Sequence, residues 1–195
     1  MPRAGLAPAN VTEAGAALAD EVGFPQLNMG LLADRLGVKT PSLYKHVDGL
    51  ADLGHRIAVL ALTEFGDAVR DATQGRAGRD ALTAAAHAIR SYVRSHPGRY
   101  AATVGTRPDG PEDPLIAASN RVLESLAAVV RGYRMGPDQE IHALRMLRSA
   151  LHGFATLEVA DGFQLGTDVD DSFEWMIDLL DQGLRATAAH PLPVR

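Results

Sequence analysis

Apolar residues along this chain return at every third or fourth position far more often than at every second, the spacing of a helix buried on one face. Ala14, Leu18 and Val22 line up before Gly23 and Pro25 stop the pattern, which predicts a first helix over residues 12–22. A second helix follows Asn28, a side chain suited to a helix start, and carries Leu31, Leu32 and Leu36 before Gly37 ends it. Pro41 opens a short third helix reaching residue 47. A long helix over 49–72 presents Leu53, Ile57, Leu60 and Leu62 for burial, and Gly75 and Gly78 interrupt the pattern behind it. Further helices are predicted over 80–95, 97–104, 112–133, 137–159 and 170–188. Residues 105–114 hold three prolines, two glycines and three acids and read as a loop.

Composition supports the same class. The 32 alanines outnumber the 19 Val and Ile residues, so helical preference dominates and the expected fold is all-α. A chain of 195 residues, 46% hydrophobic, has ample apolar surface for a core. With no cysteine, disulfides, thiolate metal sites and cysteine nucleophiles are excluded. The longest uncharged stretch, residues 22–33, contains Gly23, Pro25 and Gly30 and is far shorter than the ~20 apolar residues of a membrane span. No apolar core of a secretory signal follows Arg3, so a cytoplasmic address is expected.

The net charge of -5 argues against a protein that coats nucleic acid, but not against a small DNA-reading surface. The basic residues are unevenly split: 17 arginines and only two lysines, Lys39 and Lys45, which fall in one short segment. That segment belongs to a helix, the turn Leu36-Gly37-Val38 and a second short helix within residues 28–47, the spacing of a helix-turn-helix. Ala33 supplies the small contact between crossing helices, Gly37 the sharp turn, and Leu32, Leu36, Val38 and Leu43 a miniature core. The opposite side of the short helix then exposes Lys39, Thr40, Ser42, Tyr44, Lys45 and His46, a set of ammonium, hydroxyl and phenol groups suited to phosphates and base edges.

At these residues the sequence resembles the TetR family of bacterial transcriptional repressors. The pattern Leu36-Gly37-Val38, then Pro41-x-Leu43-Tyr44-x-His46-Val47, is similar to the family's recognition element, and Glu21-Val22-Gly23 ends the first helix as family members do. The resemblance implies that the residues from Lys39 through Pro41 to His46 enter the major groove, while Asn28 and Met29 open the helix that touches the DNA backbone. It also implies a homodimer that binds a palindromic operator on double-stranded DNA and responds to a small-molecule effector. Residues 1–48 would form the DNA-binding domain, 49–77 a connecting helix acting as a lever, and 78–190 the ligand-binding and dimerisation domain.

Two departures bear on affinity. Gly30 stands where many members carry a basic residue, and Asp48-Gly49-Leu50 replaces the usual lysine at the start of the fourth helix. Residues 1–56 hold five basic side chains against six acids, a net of -1. Four to eight phosphate contacts per dimer would give a log-log salt slope of roughly -4 to -7.

Toward the C-terminus, Leu151-His152-Gly153-Phe154 followed by Gly162-Phe163 is similar to a C-terminal class often marked by a Trp-His-Gly triplet, with Leu151 in place of the tryptophan. The family's last two long helices pair across the dimer. That implies interface stripes of Leu151 and Phe154, with Leu144 and Leu147, on one helix and Phe173, Met176, Ile177, Leu180 and Leu184 on the other. Arg90, His96, Arg145 and His152 are the polar candidates for an effector cavity whose Ala-, Leu- and Val-rich helices suit an apolar or amphipathic ligand.

Catalytic and metal signals are weak. His87 and Ser91 stand one helical turn apart without a third orienting group. Asp168, Asp170 and Asp171 lack the glycine and distal glutamate of a calcium loop and read as charges favouring the last helix's N-terminus. No catalytic residue, metal site or cofactor is therefore expected. A helical enzyme or a protein-interaction module are the competing classes, and neither would bind an operator.

Overall fold

The computed structural model describes residues 6–189, so Arg3 lies outside it. Among the described residues the regular elements are helical: α1 (Pro8–Val22), a 3-10 turn (Phe24–Gln26), α2 (Met29–Leu36), α3 (Thr40–Leu43), α4 (Leu50–Thr73), α5 (Gly78–Ser95), α6 (Pro97–Thr103), α7 (Pro114–Arg131), α8 (Pro137–Val159) and α9 (Val169–Ala189). None of the described helices is long and apolar enough to cross a membrane.

Local chemistry sets the helix ends. α1 starts at Pro8, earlier than the apolar pattern suggests, because a proline in the first turn forfeits no intrahelical bond. The Thr12 hydroxyl donates back to Pro8 O at 3.0 Å. Asn28 Oδ1 accepts from the Leu31 N–H at 3.0 Å and caps α2. Gly37 ends that helix in the left-handed region, φ 65°, and the Val38 N–H closes the turn on Ala33 O at 3.0 Å. α3 is only one turn long, but His46 and Val47 N–H both bond Leu43 O, at 2.8 and 3.1 Å, and continue its winding. α7 begins at Pro114, two residues later than expected, where Asp113 accepts the Leu115 N–H at 2.8 Å.

The chain forms two compact units. The first comprises residues up to 64 together with 95–118; the second comprises 65–94 and 119 onward. This division is not linear in sequence, and α4 is not the sole connection: α7 also runs from one unit into the other.

In the first unit Val11, Ala16, Ala19, Leu32, Leu43, Val47, Leu53, Ile57 and Ala58 are buried in one cluster that also takes Ala102 of α6 and Leu115 of α7. Leu36 and Val38 pack partly buried against it, so the miniature core of the helix-turn-helix is continuous with the body of the unit. Two glycines make the close approaches. Gly15 lies under Leu53 of α4, where a Cβ would stand 3.0 Å from the leucine methyl. Gly98 of α6 is pressed so closely on α1 that any Cβ would overlap the backbone of Ala19 and Asp20.

In the second unit Leu82, Val130, Leu147, Leu151, Phe173, Ile177 and Leu184 are among the fully or nearly fully buried side chains. The Phe65 and Tyr92 rings lie 5.4 Å apart, and Phe154 meets Phe173 at 5.0 Å, distances at which tilted aromatic pairs attract.

Candidate nucleic-acid interface

The exposed side of the short third helix carries the chemistry. Lys39, Pro41, Tyr44 and Lys45 are exposed, and Thr40, Ser42 and His46 are half-buried. Tyr44 leaves 54% of its surface in solvent, unusual for an aromatic residue beside a completed core. Leu43 points the other way and is fully buried, which fixes which side of the turn faces out.

Charge around this surface is mostly cancelled. Arg35 of α2 binds Glu21 of α1 through both terminal nitrogens, at 2.6 and 2.7 Å. The Arg35 hydrogen bond holds the Glu21 carboxyl below its ordinary range. Arg56 is paired with Asp52 one turn away at 2.9 Å. Burial pushes the Asp52 carboxyl up, but Arg56 and the Asp48 N–H outweigh it and leave it depressed. Lys39 and Lys45, by contrast, have no ion-pair partner among the described residues. The two lysines are thus the uncommitted cations of the described N-terminal segment.

At the start of α2 the two expected contact residues part. Asn28 is exposed, with its oxygen used as the cap and its amide donating to Gln26 O at 3.2 Å. Met29 opens α2 with its side chain buried in the core cluster, which leaves its backbone as the group that could meet a phosphate. Position, not apolar character, decides this, since a residue in the first turn falls on the buried face once Leu32 and Ala33 do.

Of the four polar residues expected in an effector cavity, Arg90 and His96 have carboxylate partners within the fold. Arg90 of α5 is buried, bonds Glu158 of α8 at 2.6 and 2.7 Å and Asp170 of α9 at 2.6 Å, and lies over the Phe173 ring at 4.6 Å. Those carboxylates raise its pKa further against the opposing effect of burial. It clasps α8 and α9 to α5. His96 belongs to the first unit, with Nδ1 3.2 Å from Asp20 Oδ2. Arg145 is exposed on α8, and His152 is half-buried there. A recess of about 280 Å³ at the α8–α9 connection, walled by Phe163, Leu165, Val169 and Ser172, was not legible in sequence.

The expected dimer stripe also needs correction. Leu151, Phe173, Ile177, Leu180 and Leu184 are buried within the protomer itself, and Phe154 and Met176 are half-buried, leaving little of the stripe for a partner. The same two helices expose a second apolar set: Met146 and Leu157 on α8, Trp175 and Leu179 on α9. Periodicity detects the regular stripe, and the regular stripe is the one that packs inside.

Arg99 carries no local signal in the sequence. This α6 residue is buried among three carboxylates: Asp20 at 2.9 Å, Glu64 at 2.8 Å and Glu13 at 3.0 Å. Burial opposes its charge, but the carboxylates prevail and its pKa is raised. Asp113 carries no such signal either; it accepts the backbone N–H of Asp109 and Leu115 and lies 3.0 Å from His55 Nε2. The two N–H groups hold its carboxyl below the ordinary range.

A capped helix, a left-handed glycine turn and an exposed short helix flanked by Lys39 and Lys45, on an acidic chain whose described elements are helical, are the features of a helix-turn-helix transcriptional regulator. The chain belongs to the TetR family of these regulators. Residues 82–180 match the family described as Tetracyclin repressor-like, C-terminal domain. An HTH-type transcriptional regulator of Mycobacterium tuberculosis is 34% identical over 182 residues, spanning 93% of this chain and 83% of the relative. One of Bacillus subtilis is 30% identical over 187 residues, spanning 94% and 95%. Among solved structures, a TetR variant from Acinetobacter baumannii AYE in complex with minocycline superimposes with a TM-score of 0.72 at 24% identity, covering 94% of this chain and 99% of that one. The relatives are named as transcriptional regulators, a non-enzymatic role.

Proposed function

We propose that this protein is a cytoplasmic homodimeric repressor that binds a palindromic operator through Lys39–His46 and is released by a small apolar or amphipathic effector. The observation that carries the reading is the pair of uncommitted lysines flanking exposed Tyr44, in a unit whose other described N-terminal cations are paired. Two such elements fit one operator when they occupy successive major grooves, about 34–36 Å apart. An effector that favours a dimer with another separation lowers DNA affinity by its differential binding, typically ~1–3 kcal/mol. The continuous α4 and α7 are the elements able to carry that coupling, because each has one end in either unit.

Dimerisation in this reading uses the exposed set on α8 and α9, with Trp175 and Leu179 as its centre, and not the buried stripe. The effector is apolar or amphipathic in keeping with the Ala- and Leu-rich helices of the second unit. No catalytic role is assigned to any residue.

Band-shift titration on the DNA upstream of the protein's own gene tests the reading. Binding should disappear in a Tyr44→Ala, Lys45→Ala double variant that keeps wild-type helix content. Undiminished binding by that variant would overturn the assignment. A thermal-shift screen of small molecules, followed by operator release, tests the effector.

A further inference from the structure

Three metal-capable side chains meet in the first unit at a place the operator reading leaves unused. His55 lies in the second turn of α4, and Asp109 and Asp113 lie in the connection between α6 and α7. Their ligating atoms all fall within 4.8 Å of one another. We propose that His55, Asp109 and Asp113 form a binding site for one divalent transition-metal ion of nitrogen and oxygen preference, Zn(II) foremost, with water completing its shell.

The gap suits an ion. Around a tetrahedral centre with bonds of ~2.0–2.1 Å, neighbouring ligand atoms stand roughly 3.3 Å apart. His55 Nε2 and Asp113 Oδ1 are 3.0 Å apart, so a few tenths of an ångström separate the hydrogen-bonded pair from a metal-bridged one. Both groups are well sheltered, with side-chain exposures of 20% for His55 and 5% for Asp113.

The supporting contacts are also those a ligand needs. Asp113 is held by the Asp109 N–H on Oδ2 at 2.7 Å and the Leu115 N–H on Oδ1 at 2.8 Å, so its carboxylate is oriented before any ion arrives. Asp109 differs: its carboxylate is exposed and has no hydrogen-bond or ion-pair partner among the described residues. The bond from its own N–H to Asp113 keeps it beside the pair as an unused arm. The three come from an α-helix and a connection more than fifty positions away, which is why no ligand spacing is visible in the sequence. With no cysteine in the chain, soft-metal thiolate binding is not an option, and one imidazole with two carboxylates matches a borderline ion.

The inference does not depend on operator binding, and its test contains no DNA. The full-length chain, stripped with a chelator, is titrated with Zn(II) in competition with a chromophoric chelator, and separately with Co(II) while visible absorption is followed. One ion per chain is expected, with low-coordinate Co(II) bands. His55→Ala and Asp109→Asn each remove a ligand and should each weaken binding at least tenfold, the lower end of what loss of an outer-shell partner alone costs. His142→Ala, an exposed histidine on α8, should leave it unchanged. Asp109 is exposed, so its variant keeps the fold and isolates the ligand effect. Absence of saturable one-to-one binding overturns the proposal, as does binding that survives both the His55 and Asp109 changes.

Discussion

Arg35 and Glu21 meet end to end, two nitrogens on two oxygens at 2.6 and 2.7 Å, and tie α2 to the last turn of α1. The bidentate geometry occupies both terminal nitrogens and neutralises the charge. Glu21→Gln should release the guanidinium. The log-log salt slope of DNA binding should then steepen by about one per chain, and affinity for random DNA should rise more than affinity for operator. A slope equal to the wild type would show that Arg35 stays away from the DNA backbone even when free.

The lysines predict the opposite shift. Lys39→Ala and Lys45→Ala should each make the slope shallower by about one per chain and weaken binding. Neither should alter thermal stability, since both side chains are exposed and unpaired. Fluorescence anisotropy at several salt concentrations reads the slope.

Much of this surface was legible from sequence because its signals are local. Asn28 is followed three residues on by the N–H it caps, and Gly37 falls where a left-handed turn is needed. The chain also marks its helices clearly, with errors of a few residues at starts that Pro8 and Asp113 set. What spacing does not reveal is which of two apolar stripes on α8 and α9 is buried, or which polar group finds a partner far along the chain. Arg90 meets Glu158 68 positions away and Arg99 meets Glu13 86 away. Such pairs depend on how helices stack, so the sequence does not disclose the carboxylates that Arg90 joins in the fold.

The two stripes make separable predictions. Trp175→Glu with Leu179→Glu should yield folded monomers by light scattering, because both side chains are exposed and their loss leaves the core intact. Leu151→Glu should instead unfold the chain, placing an unpaired charge in a fully enclosed position. Folded dimers from the double variant would place the subunit contact elsewhere.

Gly98→Ala should be costly for a single methyl group. The added carbon would overlap backbone, which cannot rotate away, so α6 must lift from α1. A loss of about 3 kcal/mol, at the upper end of overpacking effects, is expected in chemical denaturation. Gly153→Ala, where nothing stands within 4 Å of the added atom, is the matched control and should be near neutral.

Tyr133 donates to Asp181 Oδ1 at 2.7 Å in a buried contact, and Arg185 holds the other oxygen at 2.8 Å. Burial pushes the Asp181 carboxyl up, but the guanidinium and the hydroxyl outweigh it, and the group lies below its ordinary range. Its stabilising contribution is therefore present above the unfolded value of about 3.9 and is lost as pH falls through the folded value. Asp181→Asn should show a smaller loss of stability below about pH 4 than the parent in urea unfolding. Tyr133 is pushed up, first by burial and then by Asp181, so its contribution is full below about pH 10 and fades at higher pH. Tyr133→Phe should cost about 1–2 kcal/mol at neutral pH and remove that alkaline loss.

Arg99 and Gly98 make α6 a structural member of the unit that carries the helix-turn-helix. On a ribosome, the first 64 residues would emerge with Ala19 uncovered and with Asp20 and Glu64 lacking their shared guanidinium. The unit that carries the helix-turn-helix is complete only when residues to about 118 are present, so its folding is expected to wait for synthesis of α5, which lies almost wholly in the other unit. For the same reason a fragment cut after the third helix would be a partial fold, and any excised DNA-binding piece would need α6 supplied with it.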